Sequence, residues 1–357
     1  METSNTQELS VYEIKGGEIL AKDLYLPNGT LFMSEGSVLK PVYRERFKTL
    51  GIDKIIVFST EVRHLIEQST EKIIADQCMD IVKATIDRFS YGIDAELNEI
   101  VHVAERIMKH VLSEPDVIYN VSKVRDRSER TYLHCINVAA LSVLVGTVMK
   151  MQENRLRNMA IGALLHDIGL VYVPVDMSKI DRDTVDEATE KEIKRHVIYG
   201  YSVVEHENWL SSAAKEVIIG HHERVDGSGY PFHLTSDRMS LETKIVALCD
   251  EFDNMVYGIY TKRRKVNETM DYLISQAGIK FDFKVVQSFV DSVAAYPIGT
   301  IVRTNEGETA IVIRQNKGLP TRPVLKIRTA PSNSGFKPGD EKDLTKELTT
   351  FIQDSIG

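Results

Sequence analysis

The stretch "HHERVDGSGYPFHL", His221 to Leu234, decides how the rest of the chain is read. Two adjacent histidines precede an acid, and an Asp-Gly-Ser-Gly-Tyr-Pro turn follows. Successive side chains on a helix diverge by about 100°, so His221 and His222 are badly placed to grip a single atom together. They are well placed to occupy coordination positions in a site built around more than one metal. The reading then depends on whether the chain supplies the remaining ligands.

It supplies them in a run of helical segments. His134 lies in "RTYLHCINVAA", His166 and Asp167 in "ALLHDIGL", His196 in "EIKRHVIYG" and Asp250 in "KIVALCDEFD". Each sits in or at the end of an apolar helical run, where a carboxylate is costly unless something positive compensates it. Taken singly, such an Asp reads as a solvated or capping group and such a His as a satisfied core residue. Seven in one helical block read as a ligand set. Imidazole and carboxylate without thiolate suit iron, manganese, nickel or zinc, and a carboxylate can bridge two metals with its two oxygens. The phosphate-cradling pattern GxxxxGK is absent, which excludes a nucleotide triphosphatase of that type.

The bulk properties narrow the class further. The chain has 357 residues, 43% hydrophobic and 27% charged, which is enough for two or three domains with cores of their own. A net charge of -8 gives no basic footprint, so a DNA or RNA duplex is not the expected partner. Small anionic ligands remain compatible, because a metal or a local Arg/Lys group reverses the sign of one cleft. Cys78, Cys135 and Cys249 share no close spacing, which argues against disulfides and a Cys-based zinc site and for a reducing compartment. The start "METSNTQELS" carries no signal pattern, and "INVAALSVLVGTVMKM" suits a buried helix better than a membrane span. The expectation is a cytoplasmic protein with no membrane span.

Composition shifts divide the chain into four. Residues 1–60 read as a small α/β or β-rich module: turn signals at Pro27-Asn28-Gly29 and Glu35-Gly36, a helix "YRERFKTLG" and a strand "KIIVF". Residues 61–115 carry apolar positions at helical steps. They read equally as the dimerising stalk of a homodimer or as helices packed on the central domain. Residues 116–295 are helical, with breaks at Gly169, near Asp181 and through 226–240. Residues 296–357 alternate around the turn "NEGE" and continue in "RPVLKIRT", the pattern of a small β domain. The expected fold class is mainly α, a helical bundle flanked by two small modules.

The residues also carry a family resemblance. His134, His166-Asp167 and Asp250 resemble the His…His-Asp…Asp pattern of the HD metal-dependent phosphohydrolases. "HHERVDGSGYP" resembles the extended signature HHExxDGxGYP of the HD-GYP subfamily at every fixed position: His221, His222, Glu223, Asp226, Gly227, Gly229, Tyr230 and Pro231. The resemblance covers roughly residues 116–295, and the segment beginning "YPIGTIVRTNEGETAIV" looks like the tail that follows many such domains. It implies an α-helical bundle with a binuclear centre of iron or manganese. One metal would be held by His134, His166, Asp167 and Asp250, the other by Asp167, His196, His221 and His222. Asp167 and His166 would stand at the catalytic centre. The implied activity is hydrolysis of cyclic di-GMP to linear pGpG or onward to GMP. Paired cations supply that chemistry by clamping the attacking and leaving oxygens of an in-line displacement. The implied partners are a cyclic dinucleotide and signalling proteins that dock on the Gly-Tyr-Pro loop.

Three positions depart from the family pattern. Leu170 stands where a Lys usually follows His-Asp-Ile-Gly, and an apolar side chain cannot stabilise phosphate charge. An Arg-Pro-Tyr segment usually follows the last Asp; here "NMVYGIYTKRRK" offers Lys262, Arg263 and Arg264 in a different register as substrate-binding candidates. Arg130 occupies the place of a third-metal Glu, with Glu129 one residue away, so two metals are expected and not three. These changes leave the metal ligands intact. They leave open a catalytically weak cyclic di-GMP receptor, or a phosphohydrolase acting on another nucleotide or phosphoester.

Overall fold

In a computed structural model, residues 6–22, 24–26, 31–33, 37–60, 63, 74, 78–86, 99–113, 130–175, 185–258, 263–332 and 334–356 are described. They fall into two compact units, one drawn from the two ends of the chain and one from its middle. The turn signals at 27–29 and 35–36, the break near Asp181, most of 61–98, Glu129 and Lys262 lie outside the described residues.

The unit built from the chain ends is the β-containing one. Strand β1 (Thr6–Ser10) pairs antiparallel with β4 (Lys54–Phe58), the expected "KIIVF" strand, and β2 (Leu24–Tyr25) pairs with β3 (Leu31–Met33). Helix α1 (Tyr43–Thr49) buries Phe47 and is followed by Gly51 at φ +69, a backbone conformation that glycine adopts without strain. At the far end of the chain lie β5 (Ile301–Thr304), β6 (Thr309–Arg314), β7 (Val324–Thr329), β8 (Glu341–Asp343) and β9 (Ile352–Ile356). They form one antiparallel sheet in the order β8-β7-β6-β5-β9. The "NEGE" turn joins β5 to β6, with Gly307 at φ +83. The two modules share a core, in which Ile19, Ala21 and Phe58 pack with Ile311.

The middle unit is helical and carries the fold class read from the sequence. Its elements are α2 (Glu99–Ser113), α3 (Arg130–Val148), α4 (Glu153–Leu165), α5 (Glu187–Lys194), α6 (His196–Val204), α7 (Ser212–Gly220), α8 (Leu241–Tyr257), α9 (Val266–Ser275) and α10 (Phe283–Val290). A short 3-10 turn, Ile168–Tyr172, follows α4. Helix α2, from the stretch read as stalk or packed helix, packs on α4 and buries Ile100, Val103 and Ile107. Helix α4 packs against α7 and α8, and α6 packs against α7 and the 3-10 turn. Capping defines two of the site-bearing helices. Ser211 accepts a hydrogen bond from the Ala214 amide at the start of α7, and Ser240 accepts one from Thr243 at the start of α8.

The Thr131–Val148 stretch of α3 is long and apolar enough to cross a membrane, yet 72% of it is buried inside the protein. That is how a core helix behaves. Helix α3 presents His134 and Cys135 to the interior.

Candidate metal centre

All seven ligand candidates converge in the helical unit. His134 comes from α3, His166 and Asp167 from the C-terminal end of α4, His196 from the first position of α6, His221 and His222 from the end of α7, and Asp250 from mid-α8. Every one is buried. They form two groups, His134–His166–Asp250 and Asp167–His196–His221–His222, each with its ligand atoms within 4.8 Å of one another.

Close backbone packing makes the convergence possible. Gly169 lies so near α6 that a Cβ there would sit 1.9 Å from the His196 carbonyl oxygen. Only glycine fits, and the contact brings His196 beside Asp167. The loop after His222 is equally tight. A Cβ on Gly229 would meet the Cα of Glu223 at 2.4 Å, and Gly227 has φ +80. The buried Glu223 carboxylate closes the loop by accepting the Phe232 amide at 2.6 Å and the Leu234 amide at 3.0 Å. Asp226 accepts the Ser228 amide at 2.9 Å, and the Tyr230–Pro231 peptide is cis. The Tyr230 ring stacks on His222, with centroids 4.8 Å apart and planes 27° from parallel.

Asp167 stands between the two groups. Its Oδ2 lies 3.7 Å from His134 Nε2 and 3.6 Å from His166 Nε2. Its Oδ1 lies 3.4 Å from His196 Nε2 and 3.8 Å from His221 Nε2. One oxygen faces each group, which is the geometry of a bridging carboxylate.

The histidines themselves require something positive. His166, His196 and His221 each donate Nδ1–H to the backbone carbonyl three residues earlier, at Ala163, Ile193 and Ile218, over 2.7–2.9 Å. A carbonyl only accepts, so in a neutral ring the proton sits on Nδ1 and Nε2 keeps a lone pair. Yet Nε2 of His134 and His166 are 3.1 Å apart, and Nε2 of His196 and His221 are 3.2 Å apart. Facing lone pairs at that separation repel unless a proton or a cation lies among them. Asp250 Oδ2 is buried and accepts no hydrogen bond, and His222 Nδ1 faces it at 3.5 Å. A buried carboxylate oxygen in that position is costly without a cation. These residues fit a divalent cation in each group.

The two groups differ in their proton affinity. Burial pushes the His134 imidazole down, but hydrogen bonds to Asp250 and Asp253 outweigh it and raise the pKa to about 10. Burial likewise opposes His166, and the Asp167 charge with the Asp250 contact carries it up. His221 goes the other way: burial and the neighbouring His166 and His196 depress it to about 3. His196 is lowered mainly by burial. Burial would raise both carboxyls, yet the histidines around them hold Asp167 below and Asp250 well below the usual range.

Two further residues belong to the site and were not singled out from the sequence. His134 Nδ1 donates to Asp253 Oδ2 at 2.6 Å, and the Asn137 side-chain amide donates to Asp253 Oδ1. Both lie three residues after a ligand, Asn137 after His134 and Asp253 after Asp250. That is the same-face spacing on a helix, which puts each of them beside a ligand once the helices pack.

The departures from the family pattern are also placed. Leu170 is half-buried on the 3-10 turn, and its amide donates to the Asp167 carbonyl at 3.0 Å. Arg263 and Arg264 are exposed just before α9, and the Arg264 guanidinium sits 5.6 Å over the Tyr272 ring of that helix.

Residues 105–285, half of the chain, match the HD domain family. The chain belongs to the HD domain family. Its His221–Pro231 segment carries the HD-GYP signature in full. Residues 301–357, the C-terminal sheet, match a KOW domain associated with the HD domain.

A cyclic di-GMP phosphodiesterase of Pseudomonas aeruginosa is 28% identical over 241 residues, covering 66% of this chain and 58% of that protein. One from Borreliella burgdorferi is 27% identical, covering 54% of this chain and 51% of that protein. A 3'3'-cGAMP-specific phosphodiesterase of Vibrio cholerae is 28% identical, covering 49% and 34%. The chain thus spans about half the length of the curated relatives it matches first. Among solved structures, an HD-GYP-type protein of Bdellovibrio bacteriovorus aligns with a TM-score of 0.49 at 15% identity. That alignment covers 80% of this chain and 98% of the other.

Proposed function

We propose that the chain is a metal-dependent phosphodiesterase that hydrolyses cyclic di-GMP to linear pGpG, GMP or both. Its cofactor would be a pair of divalent transition metals, iron or manganese, and its setting the cytoplasm. The observation that carries this reading is Asp167, one oxygen toward each of two ligand groups whose imidazole lone pairs face one another. The names of the relatives above support the substrate class.

His134, His166, Asp167 and Asp250 would hold one cation, and Asp167, His196, His221 and His222 the other. Such a pair supplies Lewis-acid stabilisation of the attacking and leaving oxygens at phosphorus. The chain's own contribution is positional. Backbone carbonyls fix the Nδ1 protons of three histidines, so their Nε2 atoms point at the centre with no rearrangement. Asp167 and His222 retain 8% and 6% exposure, while the other five ligands retain 1% or less, so the centre opens on their side. Tyr230, stacked on His222, forms part of that opening, a place where a flat nucleobase has a ring to meet. Burial of the remaining ligands keeps bulk water away and strengthens every electrostatic contact inside.

The terminal modules hold no candidate ligand group among the described residues and are proposed as regulatory or structural parts. Leu170 favours a second reading, a slow enzyme or cyclic di-GMP receptor signalling through contacts at the Gly-Tyr-Pro loop. The deciding experiment is product analysis on cyclic di-GMP with metal-loaded protein, run beside equilibrium binding of the same ligand. Turnover to pGpG or GMP supports the enzyme; tight binding without product supports the receptor.

A further inference from the structure

We infer that Asp253 is a positioning residue that decides which nitrogen of His134 faces the metals, with Asn137 holding it in place. The inference rests on the two-cation reading, in which His134 must offer a lone pair at Nε2.

His134 differs from its neighbours in one respect: its proton is contested. In front of it, Asp250 Oδ1 lies 3.1 Å from Nε2. The corresponding carboxylate distances at His166, His196 and His221 are 3.4–3.8 Å. An ionised carboxylate at 3.1 Å invites the single proton of a neutral imidazole onto Nε2, where it would block a metal. A backbone carbonyl suffices for the other three rings because no carboxylate in front of them stands so close. Behind His134 stands a second carboxylate instead. Asp253 Oδ2 accepts from Nδ1 at 2.6 Å, shorter than the contact in front, and the pair is fully buried. A charge-assisted hydrogen bond of this length is roughly twice as strong as a neutral one. The proton therefore settles on Nδ1 and leaves Nε2 free for a cation.

Asn137 completes the arrangement. Its amide nitrogen donates to Asp253 Oδ1, so the carboxylate lies between two donors and accepts from both. Asn137 rides one turn from His134 on the same helix, which ties the carboxylate's position to that of the ring it orients. What residue 253 must supply is an acceptor aimed at Nδ1. This makes a specific prediction for a polarity swap. In Asp253→Asn the amide is free to turn either way, so the acceptor is only partly retained. In Asn137→Asp/Asp253→Asn, the carboxylate at 137 accepts only, which turns the new NH2 toward 137 and the new carbonyl toward His134. The buried charge is conserved and the acceptor is restored.

The test is equilibrium dialysis of chelator-stripped, refilled protein against Mn2+, with folding checked by circular dichroism. Wild type should take up about two equivalents. Asp253→Ala should lose the equivalent that depends on His134 and keep the other. Asp253→Asn should bind that equivalent about 10- to 100-fold more weakly than wild type, and the swap should recover part of the loss. If Asp253→Ala does not fold, the isosteric Asp253→Asn and the swap carry the comparison by themselves. Wild-type affinity in Asp253→Asn, or a folded swap variant no tighter than Asp253→Asn, overturns the role given to Asp253. A wild type that takes up no Mn2+ instead overturns the two-cation reading. A wild type that binds two equivalents but leaves cyclic di-GMP intact counts against the proposed activity alone.

Discussion

Among the described residues, two buried clusters of charge are built on opposite principles. In the C-terminal sheet unit, Lys342 and Glu308 are fully buried together. The ammonium contacts Glu306 at 2.7 Å and both oxygens of Glu308 at 2.9 and 3.1 Å. Ser334 and Thr304 donate to the two Glu308 oxygens, and Thr350 donates to Glu306. Donors match acceptors, and the cation is a side chain of the protein. In the helical unit, five histidines and two aspartates are buried with Nε2 atoms facing one another and one Asp250 oxygen accepting nothing. The first cluster is complete as folded; the second asks for a cation from outside. Saturation of hydrogen bonds, more than burial or charge, separates a structural cluster from a ligand-binding one.

Substitutions in each cluster should therefore fail in different ways. The largest effect is expected from Asp167→Ala. Asp167 serves both groups, so this variant should lose both cations and, with them, phosphodiesterase activity, while remaining folded. Elemental analysis finding full metal content in the folded variant would contradict the bridging role. Lys342→Met should do the reverse. Removing the ammonium leaves Glu308 buried and uncompensated at a cost of about 3–5 kcal/mol, read by chemical denaturation, with metal content unchanged. A stability loss well under that range would mean the sheet cluster is not the closed network described here.

Leu170→Lys has a smaller expected effect and acts at the edge of the metal cluster. A charge-assisted contact to phosphate is worth roughly 1.5–3 kcal/mol, or about a ten- to hundredfold gain in turnover, provided the new side chain reaches the opening. Steady-state hydrolysis of cyclic di-GMP by both metal-saturated forms measures it. A fast wild type with no gain in the variant would show that another group carries the role, with Lys262, Arg263 and Arg264 the first candidates.

The smallest effect concerns pH and sharpens the contrast inside the metal cluster. In the metal-free protein His134, raised to about 10, carries a proton at neutral pH that a cation must displace, and the Asp167 charge shifts His166 in the same direction. His221, depressed to about 3, and His196, also lowered, are neutral already. Lowering the pH from 8 to 6 should weaken the His134–His166–Asp250 group by up to about tenfold per unit for each proton displaced. The other group, in which His196 and His221 have no proton to displace, should change less. Mn2+ titrations at the two pH values, resolved into two equivalents, test this; parallel weakening of both would remove the distinction.

Much of the site was legible in the sequence because its ligands are chemically conspicuous. A His-His pair before a Gly-rich turn, or an aspartate after "IVALC", conflicts with the apolar pattern around it, and the conflict is visible without coordinates. Asp253 and Asn137 were not legible in that way. Each sits one turn beyond a ligand, where a polar residue reads as a helix surface position, and only the packing of α3 against α8 side chains makes them partners. The helical core and the C-terminal hairpin followed from periodicity and turn residues. The shared core of the two terminal modules did not, because Phe58 and Ile311 are brought together by tertiary packing that no local pattern records. Gly169 shows the same limit. It read as a helix break, whereas its stronger reason is the backbone of α6 lying where a side chain would go.

The most direct test of the central claim is a metal count on the wild-type chain. Protein stripped with a chelator and titrated with Mn2+ should bind about two equivalents, and thermal unfolding should move upward as they bind, because cations held by the native site stabilise it by mass action. Binding of no cation, with the stripped and loaded forms unfolding at the same temperature, would contradict the claim that these seven buried side chains form a binuclear centre.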